Sequence, residues 1–476
     1  MSYDAIVVGA GPNGLAAAIE LQRNGCSTLL VEAAETVGGA ARTEEVTLPG
    51  FLHDVGSAVH PLGVGSPFFS SLPLESFGVE WVHPDAPLAH PLHGERTAIL
   101  DRDIERTAAS LEDDGAAWVR RFRPFVERWD TFISHLLRSP LSPPRSPLLM
   151  ARLAPLAMRS TPGLATAFRH NQARALLAGN AAHAGTPLTY ALTGAVGATL
   201  IVAAHAVGWP FPRGGAGALT GALAGYFTSI GGVIETGQPV RSLAALPTAR
   251  ATLLALTHRQ VADLEDSGLS ASFRRRLGRW RYGPGAFKVD WALDGPIPWS
   301  DPAVARAGTV HVGGTLEDIV SSEAAPMAGT VSERPFVLLA QPSLFDHSRA
   351  PEGKHTAWAY CHVPNGWPGD ATDAIEAQVE RFAPGFKSRV LSRASWSTER
   401  LERWDGNLVG GDVNGGALTL NQTIGPARWG LPGYRTPRRD LYLCSASTPP
   451  GGGVHGMAGY HGARSALKHT FGLIST

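Results

Sequence analysis

The sequence predicts an α/β protein with a parallel sheet, and three features near its start lead to this prediction. Residues 5–8 form a short apolar run without charge, which is typical of a strand buried on both faces. A segment rich in Ala, Leu and Ile then runs to about Asn24, and Gly25 is placed to end it as a helix. Residues 27–31 give a second apolar strand. Strands that alternate with helices in this way favour a parallel sheet covered by helices.

The turn between the first strand and the helix carries glycines in G-x-G-x-x-G spacing. The first glycine permits a tight turn, the second lets a pyrophosphate approach the backbone, and the third lets helix and strand pack closely. Glu32 ends the second strand, where a carboxylate can accept hydrogen bonds from a ribose 2′-hydroxyl. A glycine-rich turn without function does not explain Glu32, so the stretch predicts a dinucleotide site. Its predicted binding residues are Gly9, Gly11, Pro12, Asn13, Gly14, Glu32 and Ala33.

A second glycine pair, Gly38 and Gly39, follows Glu32 and leads to Arg42. This GG-x-x-R extension resembles the one carried by flavoenzymes of the glutathione reductase and amine oxidase type. The resemblance implies FAD as the cofactor, with Arg42 near its phosphates or its flavin. A nicotinamide dehydrogenase has no need of the second glycine pair.

The composition limits the remaining function classes. A chain of 476 residues exceeds one ordinary core and predicts two intertwined domains. Its formal net charge of zero predicts no nucleic-acid partner. Cys26, Cys361 and Cys444 are far apart, which argues against a disulfide framework or a cysteine-rich metal site and favours a reducing cytoplasm. The first strand begins at residue 4, so no signal peptide is expected.

Two apolar stretches in the middle of the chain are predicted to be helices. Aromatic residues at helical spacing predict one amphipathic helix over residues 113–137, and an aromatic face of this kind is more typical of a core than of a cofactor site. Residues 188–204 carry no charge and have the apolar character of a membrane span. Glycines and threonines within this stretch and the flanking His205 argue against a span. We therefore expect a helix that is buried or lines an apolar cavity.

Residues 131–234 contain seven Arg but no Asp or Glu. Prolines break any long helix in this region, so shorter helices capped by Ser146 and Thr161 are predicted. Two interpretations remain open. Residues 138–174 could lie on an anionic bilayer, as a peripheral contact on the inner membrane surface through which a lipophilic substrate enters. The alternative is a buried helical cap whose Arg residues pair with acids elsewhere in the fold.

A second glycine-rich junction lies far along the chain. Residues 441–447 predict a strand, residues 448–456 a turn rich in Pro and Gly, and residues 456–471 a helix. The N-terminus of this helix is the expected partner of the flavin N1/C2=O edge, where negative charge collects on reduction. Two such junctions are more specific than either alone. The residues assigned to the cofactor here are Ser445, Ala446, Gly452, Gly453 and Val454.

With both junctions in view, the chain resembles the phytoene desaturase-type branch of the FAD-dependent amine oxidase superfamily, nearest the uncharacterised bacterial phytoene dehydrogenase-like group. The resemblance runs through the N-terminal glycines and residues 212–240, 282–299, 410–416 and 450–462. It implies a Rossmann-like FAD-binding domain of the glutathione reductase type and a discontinuous α+β substrate domain with a helical cap. The FAD-binding domain is expected at residues 1–60, 208–281 and 430–476, and the substrate domain at residues 61–207 and 282–429.

The resemblance also assigns cofactor contacts to single residues. Val240 takes the position where a strand clasps the adenine through backbone groups. Gly56, Ser57 and Ala58 belong to a stretch that lies beside the isoalloxazine ring in these flavoenzymes. Both assignments are expectations for this chain.

Alternating apolar and aromatic residues predict strands over residues 282–293, 336–340 and 356–362 in an antiparallel sheet of the substrate domain. Their aromatic side chains are expected in the core, with the wall of a cavity as the alternative. Lys288, one of four lysines, stands where amine oxidases keep a lysine that holds a water near flavin N5. The alternative is a surface lysine.

The implied reaction removes hydride from a carbon of a hydrophobic substrate, isoprenoid or polyene-like, held against flavin N5 away from water. His60, His362 and His455 are the candidate bases, and for His60 a polar residue at a domain crossover is the alternative. The other functions left open are a redox-neutral isomerase or hydratase, an amine oxidase, and a flavin-bound binding protein without catalysis. The electron acceptor is left open, and a homo-oligomer is compatible with the sequence.

Overall fold

A five-stranded sheet and a seven-stranded sheet organise the chain. The computed structural model describes residues 2–139, 142–144, 146–423 and 433–474. Within these ranges the strands are β1 Tyr3–Val8, β2 Thr28–Val31, β3 Thr43–Glu45, β4 Leu52–Asp54, β5 Trp81–Val82, β6 Ala86–His90, β7 Ala98–Leu100, β8 Phe211–Pro212, β9 Val233–Glu235, β10 Ala249–Leu254, β11 Gly285–Leu293, β12 Ala307–Val312, β13 Val337–Ala340, β14 His355–Val363, β15 Val390–Trp396 and β16 Leu441–Leu443. The helices in the same ranges are α1 Pro12–Arg23, α2 Pro61–Val64, α3 Ile104–Ser110, α4 Gly115–Val126, α5 Trp129–Leu136, α6 Pro147–Ala157, α7 Thr161–Ala165, α8 Asn171–Ala182, α9 Thr193–Ala206, α10 Ala216–Ser229, α11 His258–Asp263, α12 Ala271–Leu277, α13 Leu316–Ala324, α14 Thr372–Phe382, α15 Phe386–Arg389, α16 Thr398–Trp404, α17 Leu420–Thr423 and α18 Met457–Ala466.

The five-stranded sheet is parallel throughout, in the order β16-β10-β1-β2-β9. Its central strand β1 is apolar on both faces because helices cover both sides of the sheet. Ala5 and Val7 pack with side chains of α1, α10 and α18, whereas Ile6 and Val8 pack with Phe273 of α12. The predicted α/β fold with a parallel sheet is therefore confirmed.

The strands of the parallel sheet come from widely separated parts of the chain, within residues 3–31, 233–254 and 441–443. Those of the seven-stranded sheet come from residues 86–100 and 285–396. The chain therefore passes repeatedly between the two sheets. The exact limits of the two predicted domains stay a prediction.

The seven-stranded sheet has the order β15-β11-β14-β13-β12-β6-β7, and its neighbours are antiparallel except for the parallel pair β12 and β6. Strands β13 and β14 pair antiparallel, as the sequence predicted. On one face, Val289 and Trp291 of β11 pack against α14 and α15. The other face carries Leu338 and Trp358, which pack with side chains of α4, α8 and α9.

The single helix predicted over residues 113–137 is a wrong prediction, because α4 and α5 are separate helices that follow a 3-10 turn. Arg128 between them has a non-helical backbone, and Pro124 inside α4 removes one N–H donor from its last turn. The aromatic side chains nevertheless lie in the core, as predicted. The buried ones are Trp118, Phe122, Phe125 and Phe132.

The caps predicted for the next two helices need correction. Helix α6 starts after Ser146, but the Ser146 side chain makes no capping hydrogen bond. Helix α7 is capped by Ser160, whose hydroxyl accepts a hydrogen bond from the Gly163 N–H, and not by Thr161. The Thr161 hydroxyl instead donates to Oγ1 of Thr193 over 2.9 Å, so it is used in packing α7 against α9.

Residues 138–174 show features of both predicted alternatives, the contact with a membrane surface and the buried helical cap. Leu148 and Met158 of the α6 region are 79% and 59% exposed, and Arg152 and Arg159 beside them are also exposed. Arg174, by contrast, forms an ion pair with Glu317 of α13. Peripheral membrane contact through this segment stays a prediction, and Arg145 lies outside the described residues.

The uncharged stretch at residues 188–204 folds largely as helix α9, which is buried over most of its length. No helix in the described parts of the chain has both the length and the apolar character needed to cross a membrane. Gly197 shows why the helix suits a protein interior: a Cβ placed there would lie 3.1 Å from the carbonyl oxygen of Leu177 on α8. Small residues therefore let α8 and α9 pack closely.

Candidate functional site

The turn from β1 to α1 is a tight backbone cradle. Gly9 has a positive φ of 97°, a region that favours glycine. A Cβ on Gly14 would lie 1.7 Å from the carbonyl oxygen of Gly9, so no side chain fits there. Helix α1 starts at Pro12 with Gly11 as its N-cap, without a side-chain cap and without an acid in its first turn. Its N-terminal N–H groups are therefore suited to an anion.

Glu32 lies directly beyond β2 and faces this cradle. Its carboxylate accepts hydrogen bonds from the N–H groups of Ala10 and Ala34, over 2.6 and 2.9 Å. Ala33, which stands between Glu32 and Ala34 in the sequence, is exposed. The two donors hold the carboxylate at the carboxyl edge of the parallel sheet, where the sequence analysis expected an acceptor for a ribose hydroxyl.

The second glycine pair packs directly on the first glycine motif. Gly38 donates a hydrogen bond to the Ala10 carbonyl over 2.9 Å, and a Cβ on Gly39 would lie 3.0 Å from the Cα of Gly11. The Arg42 guanidinium donates to the Gly39 carbonyl over 2.9 Å and stacks 4.1 Å from the Trp404 ring. The GG-x-x-R segment thus forms a second layer against the cradle.

The segment predicted to lie beside a flavin ring follows the same layer. A Cβ on Gly56 would lie 2.2 Å from the Ala40 carbonyl oxygen, and Ser57 donates its N–H to that oxygen over 2.8 Å. Ala58 is buried in the core beneath the helices of the seven-stranded sheet. Val240, predicted to contact an adenine, is partly buried against the outer face of the parallel sheet after β9.

The second junction lies directly against the first. A Cβ on Gly459 of α18 would lie 1.7 Å from the carbonyl oxygen of Asn13, and the Gly459 N–H donates to Oδ1 of Asn13 over 3.4 Å. Helix α18 starts after Gly456 with no side-chain cap from that residue and no acid in its first turn. Two helix N-termini from opposite regions of the sequence therefore converge, which fits a cofactor with anionic groups at more than one point.

The loop before α18 is braced by residues 414–416, whose individual roles the sequence did not predict. A Cβ on Gly452 would lie 2.9 Å from the carbonyl oxygen of Asn414, and one on Gly415 would lie 2.9 Å from the Cβ of Ala446. Ser447 donates its hydroxyl to the Gly415 carbonyl over 2.6 Å. The glycines at 415 and 416 were a local signal of close backbone approach, but the sequence did not show what approaches them. Ser445, Gly453 and Val454 lie in the same junction.

Lys288 is buried, so the alternative of a surface lysine is wrong. Its ammonium bonds both oxygens of Asp290, over 2.6 and 2.5 Å, and Trp396 donates its indole N–H to the same carboxylate over 2.9 Å. His53 lies 3.5 Å from Asp290. Burial raises the pKa of Asp290, but Lys288 and His53 lower it by more, so the carboxylate is held ionised. The role of Lys288 in holding a water near flavin N5 stays a prediction.

His60 and His455 are buried near the second junction. A Cβ on Gly63 would lie 3.1 Å from both the Cβ of His60 and the carbonyl oxygen of Val454. Burial lowers the pKa of both histidines to about 4, so both rings are neutral near pH 7. His455 accepts the Met457 N–H over 3.0 Å and so caps α18. Both ring nitrogens of His60 lack a hydrogen-bond partner among the described residues.

One face of the seven-stranded sheet forms a line of four side chains that we call the chamber wall: Lys288, Trp358, Tyr360 and His362. The Lys288 ammonium lies 5.6 Å from the Trp358 ring, the Trp358 and Tyr360 rings stack at 5.9 Å, and the Tyr360 and His362 rings meet edge-on at 5.5 Å. Val55 packs with Ala286, which lies opposite His362 in the pairing of β11 with β14, and with the partly buried Tyr360. The residues predicted to flank a flavin therefore border the wall.

Three further histidines lie beside the wall. His90 on β6 and His311 on β12 are buried on the same face of the sheet, and His183, which follows α8, is partly buried. Nε2 of His183 lies 3.1 Å from Nε2 of His311, and the rings of His90 and His311 meet edge-on at 6.3 Å. Among the described residues, no group of three or more His, Cys, Asp or Glu side chains is arranged to hold a metal ion. Burial first, and then the charge of His362, lowers the pKa of His183 to about 3.

Replacing His183 with asparagine is expected to weaken the acid sensitivity of the fold. With a folded pKa of about 3, His183 stays neutral while the unfolded chain takes up a proton below about pH 6.5. Its contribution to stability is therefore complete above about pH 6.5 and is lost as the pH falls. Between pH 6.5 and 5 the wild type should lose about 2 kcal/mol more unfolding free energy than the variant. Denaturant unfolding at several pH values measures this, and equal slopes for both proteins would contradict it.

Comparisons with known proteins agree with this geometry. Residues 7–70 match the model of the NAD(P)-binding Rossmann-like domain. The chain is 27% identical to pyridine nucleotide-disulfide oxidoreductase domain-containing protein 2 of Rattus norvegicus, over 98% of this chain and 93% of that protein. It is 24% identical to the lycopene-forming phytoene desaturase of a Paracoccus species, over 96% of this chain and 95% of that one.

A solved structure supports the same architecture. A triple mutant of a putrescine oxidase superposes with a TM-score of 0.64 at 17% identity, covering 98% of this chain and 99% of that one. At this identity the likeness concerns the fold. The chain therefore has a mixed α/β fold with a Rossmann-like NAD(P)/FAD-binding domain, and it shares this fold with the putrescine oxidase.

Proposed function

We propose that the chain is an FAD-dependent oxidoreductase that removes hydride from a carbon of a hydrophobic substrate, isoprenoid or polyene-like. The observation that carries this proposal is the convergence of the N-termini of α1 and α18, neither with an acid in its first turn, through the contact of Gly459 with Asn13. One terminus suits the pyrophosphate and the other the flavin edge that becomes negative on reduction. Glu32 supplies the acceptor for the ribose.

The residues present fit an FAD molecule. The cradle would take the pyrophosphate against Gly11 and Pro12, where a side chain at Gly14 is excluded by the backbone. The flavin would extend towards residues 56–58, which follow Val55 beside the chamber wall, and towards residues 452–454, which abut Asn414. When bound, FAD supplies the hydride acceptor, and the protein positions the substrate and excludes water.

The chamber wall favours an uncharged substrate over an amine. An amine arrives as a cation and benefits from an unpaired carboxylate, but the nearby acids are already engaged. Asp290 is paired with Lys288, Glu323 with His362, and Asp412 accepts the N–H groups of Gly283 and Asn414. Tyr360, which stacks on the buried Trp358 and is itself only partly buried, instead offers apolar surface to a flat, unsaturated chain. The similarity to a phytoene desaturase supports the same substrate class.

Two other activities remain as competing proposals. The shared fold with a putrescine oxidase supports amine oxidation. A redox-neutral isomerase or hydratase would use the same site without net transfer of electrons. A flavin-bound binding protein is the alternative without catalysis.

The membrane surface is proposed as the source of a lipophilic substrate because Leu148 and Met158 are exposed beside Arg152 and Arg159.

The decisive experiment is anaerobic bleaching of the purified, FAD-loaded protein with phytoene, oleic acid and putrescine. We expect a flavin absorption spectrum and bleaching by phytoene. Bleaching by putrescine alone would favour amine oxidation, and product formation without net acceptor reduction would favour isomerisation. A colourless protein that cannot be reconstituted with FAD would refute the proposal.

Replacing Glu32 with glutamine is expected to weaken FAD binding by about 10- to 100-fold. The substitution removes the charge from a hydrogen bond to the ribose, and such bonds contribute about 1.5–3 kcal/mol. Quenching of flavin fluorescence on titration with the apoprotein measures the dissociation constant. Glu35→Gln is the matched control, because Glu35 is an exposed acid in the same loop. Equal affinities for the two variants would remove Glu32 from the proposed site.

A further inference from the structure

The His362 end of the chamber wall carries a buried acid–histidine pair. Nδ1 of His362 on β14 lies 2.7 Å from Oε2 of Glu323 on α13, and the two side chains are only 4% and 2% exposed. Glu323 is in the last turn of its helix, where the helix dipole disfavours a carboxylate. The Glu323 carboxylate is buried and lies at the unfavourable end of the helix dipole. A histidine that carries or shares a proton therefore stabilises it.

The hydrogen bond to Glu323 fixes the direction of the ring. Because Nδ1 faces Glu323, Nε2 points away from it, and a Cβ on Gly185 would lie 3.8 Å from Nε2. The same Cβ would lie 3.3 Å from Nδ2 of Asn414, whose backbone abuts Gly452 at the second junction. His362 therefore presents Nε2 towards the side of the wall on which the flavin is proposed to lie.

Charged and titratable groups surround His362 from every packed element. Glu323 lies on α13, Asp412 on the loop after α16, His183 after α8 and Tyr360 on the same strand. Burial lowers the pKa of His362, but Glu323 and then Asp412 raise it by more, so its pKa lies above the usual 6.5. His183 and Tyr360 stay neutral, because burial lowers the pKa of the first and raises that of the second.

The raised pKa distinguishes His362 from the other two candidate bases, His60 and His455. His455 already accepts a backbone N–H at Nδ1, and His60 has no carboxylate hydrogen-bonded to its ring among the described residues. Burial keeps both rings neutral near pH 7. Glu323 thus allows the His362 ring to take up a proton although it is buried, as a base shielded from solvent must.

We propose that His362 is the catalytic base of the chamber and that Glu323 is its positioning residue. This inference rests on the proposed function. When hydride leaves one substrate carbon for FAD, the C–H bond on the neighbouring carbon breaks, its electron pair forms the C=C bond, and its proton goes to Nε2 of His362. Glu323 holds the ring in the tautomer with Nε2 unprotonated and stabilises the imidazolium that results.

The first test follows the proton without turnover. In the holoenzyme with ¹⁵N-labelled histidine, NMR titration of the ring is expected to place the midpoint of His362 above pH 6.5. Glu323→Gln should lower that midpoint by about one pH unit or more, because an opposite charge is removed while burial remains. Glu317→Gln, an exposed acid on the same helix, should leave it unchanged. A midpoint that does not respond to Glu323→Gln would overturn the pairing.

The second test follows the chemistry through the rate of anaerobic flavin bleaching by phytoene. In the wild type the rate should rise with pH through the pKa of His362, because the base must be unprotonated. His362→Gln should slow bleaching about 100-fold or more and abolish this pH dependence, and Glu323→Gln should slow it and move the midpoint to lower pH. His355→Gln, at the other end of β14, is the control. His362→Asn and the flavin content of each variant show whether loss of activity reflects loss of fold.

The outcomes separate the two proposals. If phytoene bleaches the flavin but His362→Gln keeps the wild-type rate and pH profile, His362 is not the base and the proposed oxidation stands. If the wild type binds FAD and phytoene bleaches nothing, the proposed function fails, and the base inferred from it fails with it.

Discussion

Replacing Gly14 with alanine is expected to abolish FAD binding, with at least a 100-fold loss of affinity. The added methyl group would lie 1.7 Å from the carbonyl oxygen of Gly9, which is a backbone atom and cannot swing aside. Helix α1 would have to move away from β1, and the cradle for the pyrophosphate would open. Flavin fluorescence titration measures the affinity, and far-UV circular dichroism measures the remaining fold.

Gly221→Ala is the matched control for this substitution. Gly221 lies inside α10, and a Cβ there meets no atom within 4 Å. Alanine at an open helical position stabilises by about 0.5–1 kcal/mol, so this variant should bind FAD as well as the wild type. A Gly14→Ala protein with wild-type flavin affinity would show that the cradle does not hold the cofactor.

Replacing Arg349 with methionine is expected to lower the unfolding free energy by about 3–5 kcal/mol. Arg349 and Asp54 form an ion pair over 2.5 Å, with side chains 0% and 1% exposed. Asp54 also accepts the Thr43 hydroxyl over 2.6 Å and the Ala216 N–H over 2.8 Å. Removal of the guanidinium leaves a buried carboxylate without its counter-charge at the start of the segment that leads to residues 56–58. Chemical denaturation measures the loss, and the flavin content should fall with it.

A neighbouring arginine provides the comparison. Arg213 pairs with Glu80 and lies 3.6 Å from Asp346, but its side chain is 46% exposed. Solvent screens such a pair, so Arg213→Met should cost about 0–1 kcal/mol. Combining Arg349→Met with Asp54→Asn should recover part of the loss, because asparagine keeps an acceptor for Thr43 and Ala216. Equal costs for Arg349→Met and Arg213→Met would show that burial does not set the strength of the pair.

The parts of the site that the sequence revealed are those encoded locally. The β1–α1–β2 unit was predicted because hydrophobic runs, glycine spacing and Glu32 all lie within one short stretch. The junction before α18 was visible for the same reason, although β16 ends at Leu443 and the predicted strand extended to residue 447. The helix predicted over residues 113–137 failed because periodicity registered its aromatic face but not the break at Arg128.

The remaining features depend on contacts between distant segments. Gly459 against Asn13, Arg349 with Asp54 and Glu323 with His362 each join separate elements of the fold. No local spacing marks such a pair, because either residue alone is compatible with an exposed position. Lys288 and Asp290 lie two residues apart on one strand, but their burial depends on distant residues such as Trp396 of β15, which donates to Asp290.

The position of β16 at one edge of the parallel sheet has a consequence for biosynthesis. This strand pairs with β10, and the helix after it packs on α1, so half of the proposed cofactor site is translated about 400 residues after the other half. At about 5–20 residues per second, the nascent N-terminal unit must wait on the order of half a minute before its counterpart leaves the ribosome. During that interval one edge of β10 lacks its neighbour, so the proposed cofactor site is incomplete until β16 and α18 have been translated.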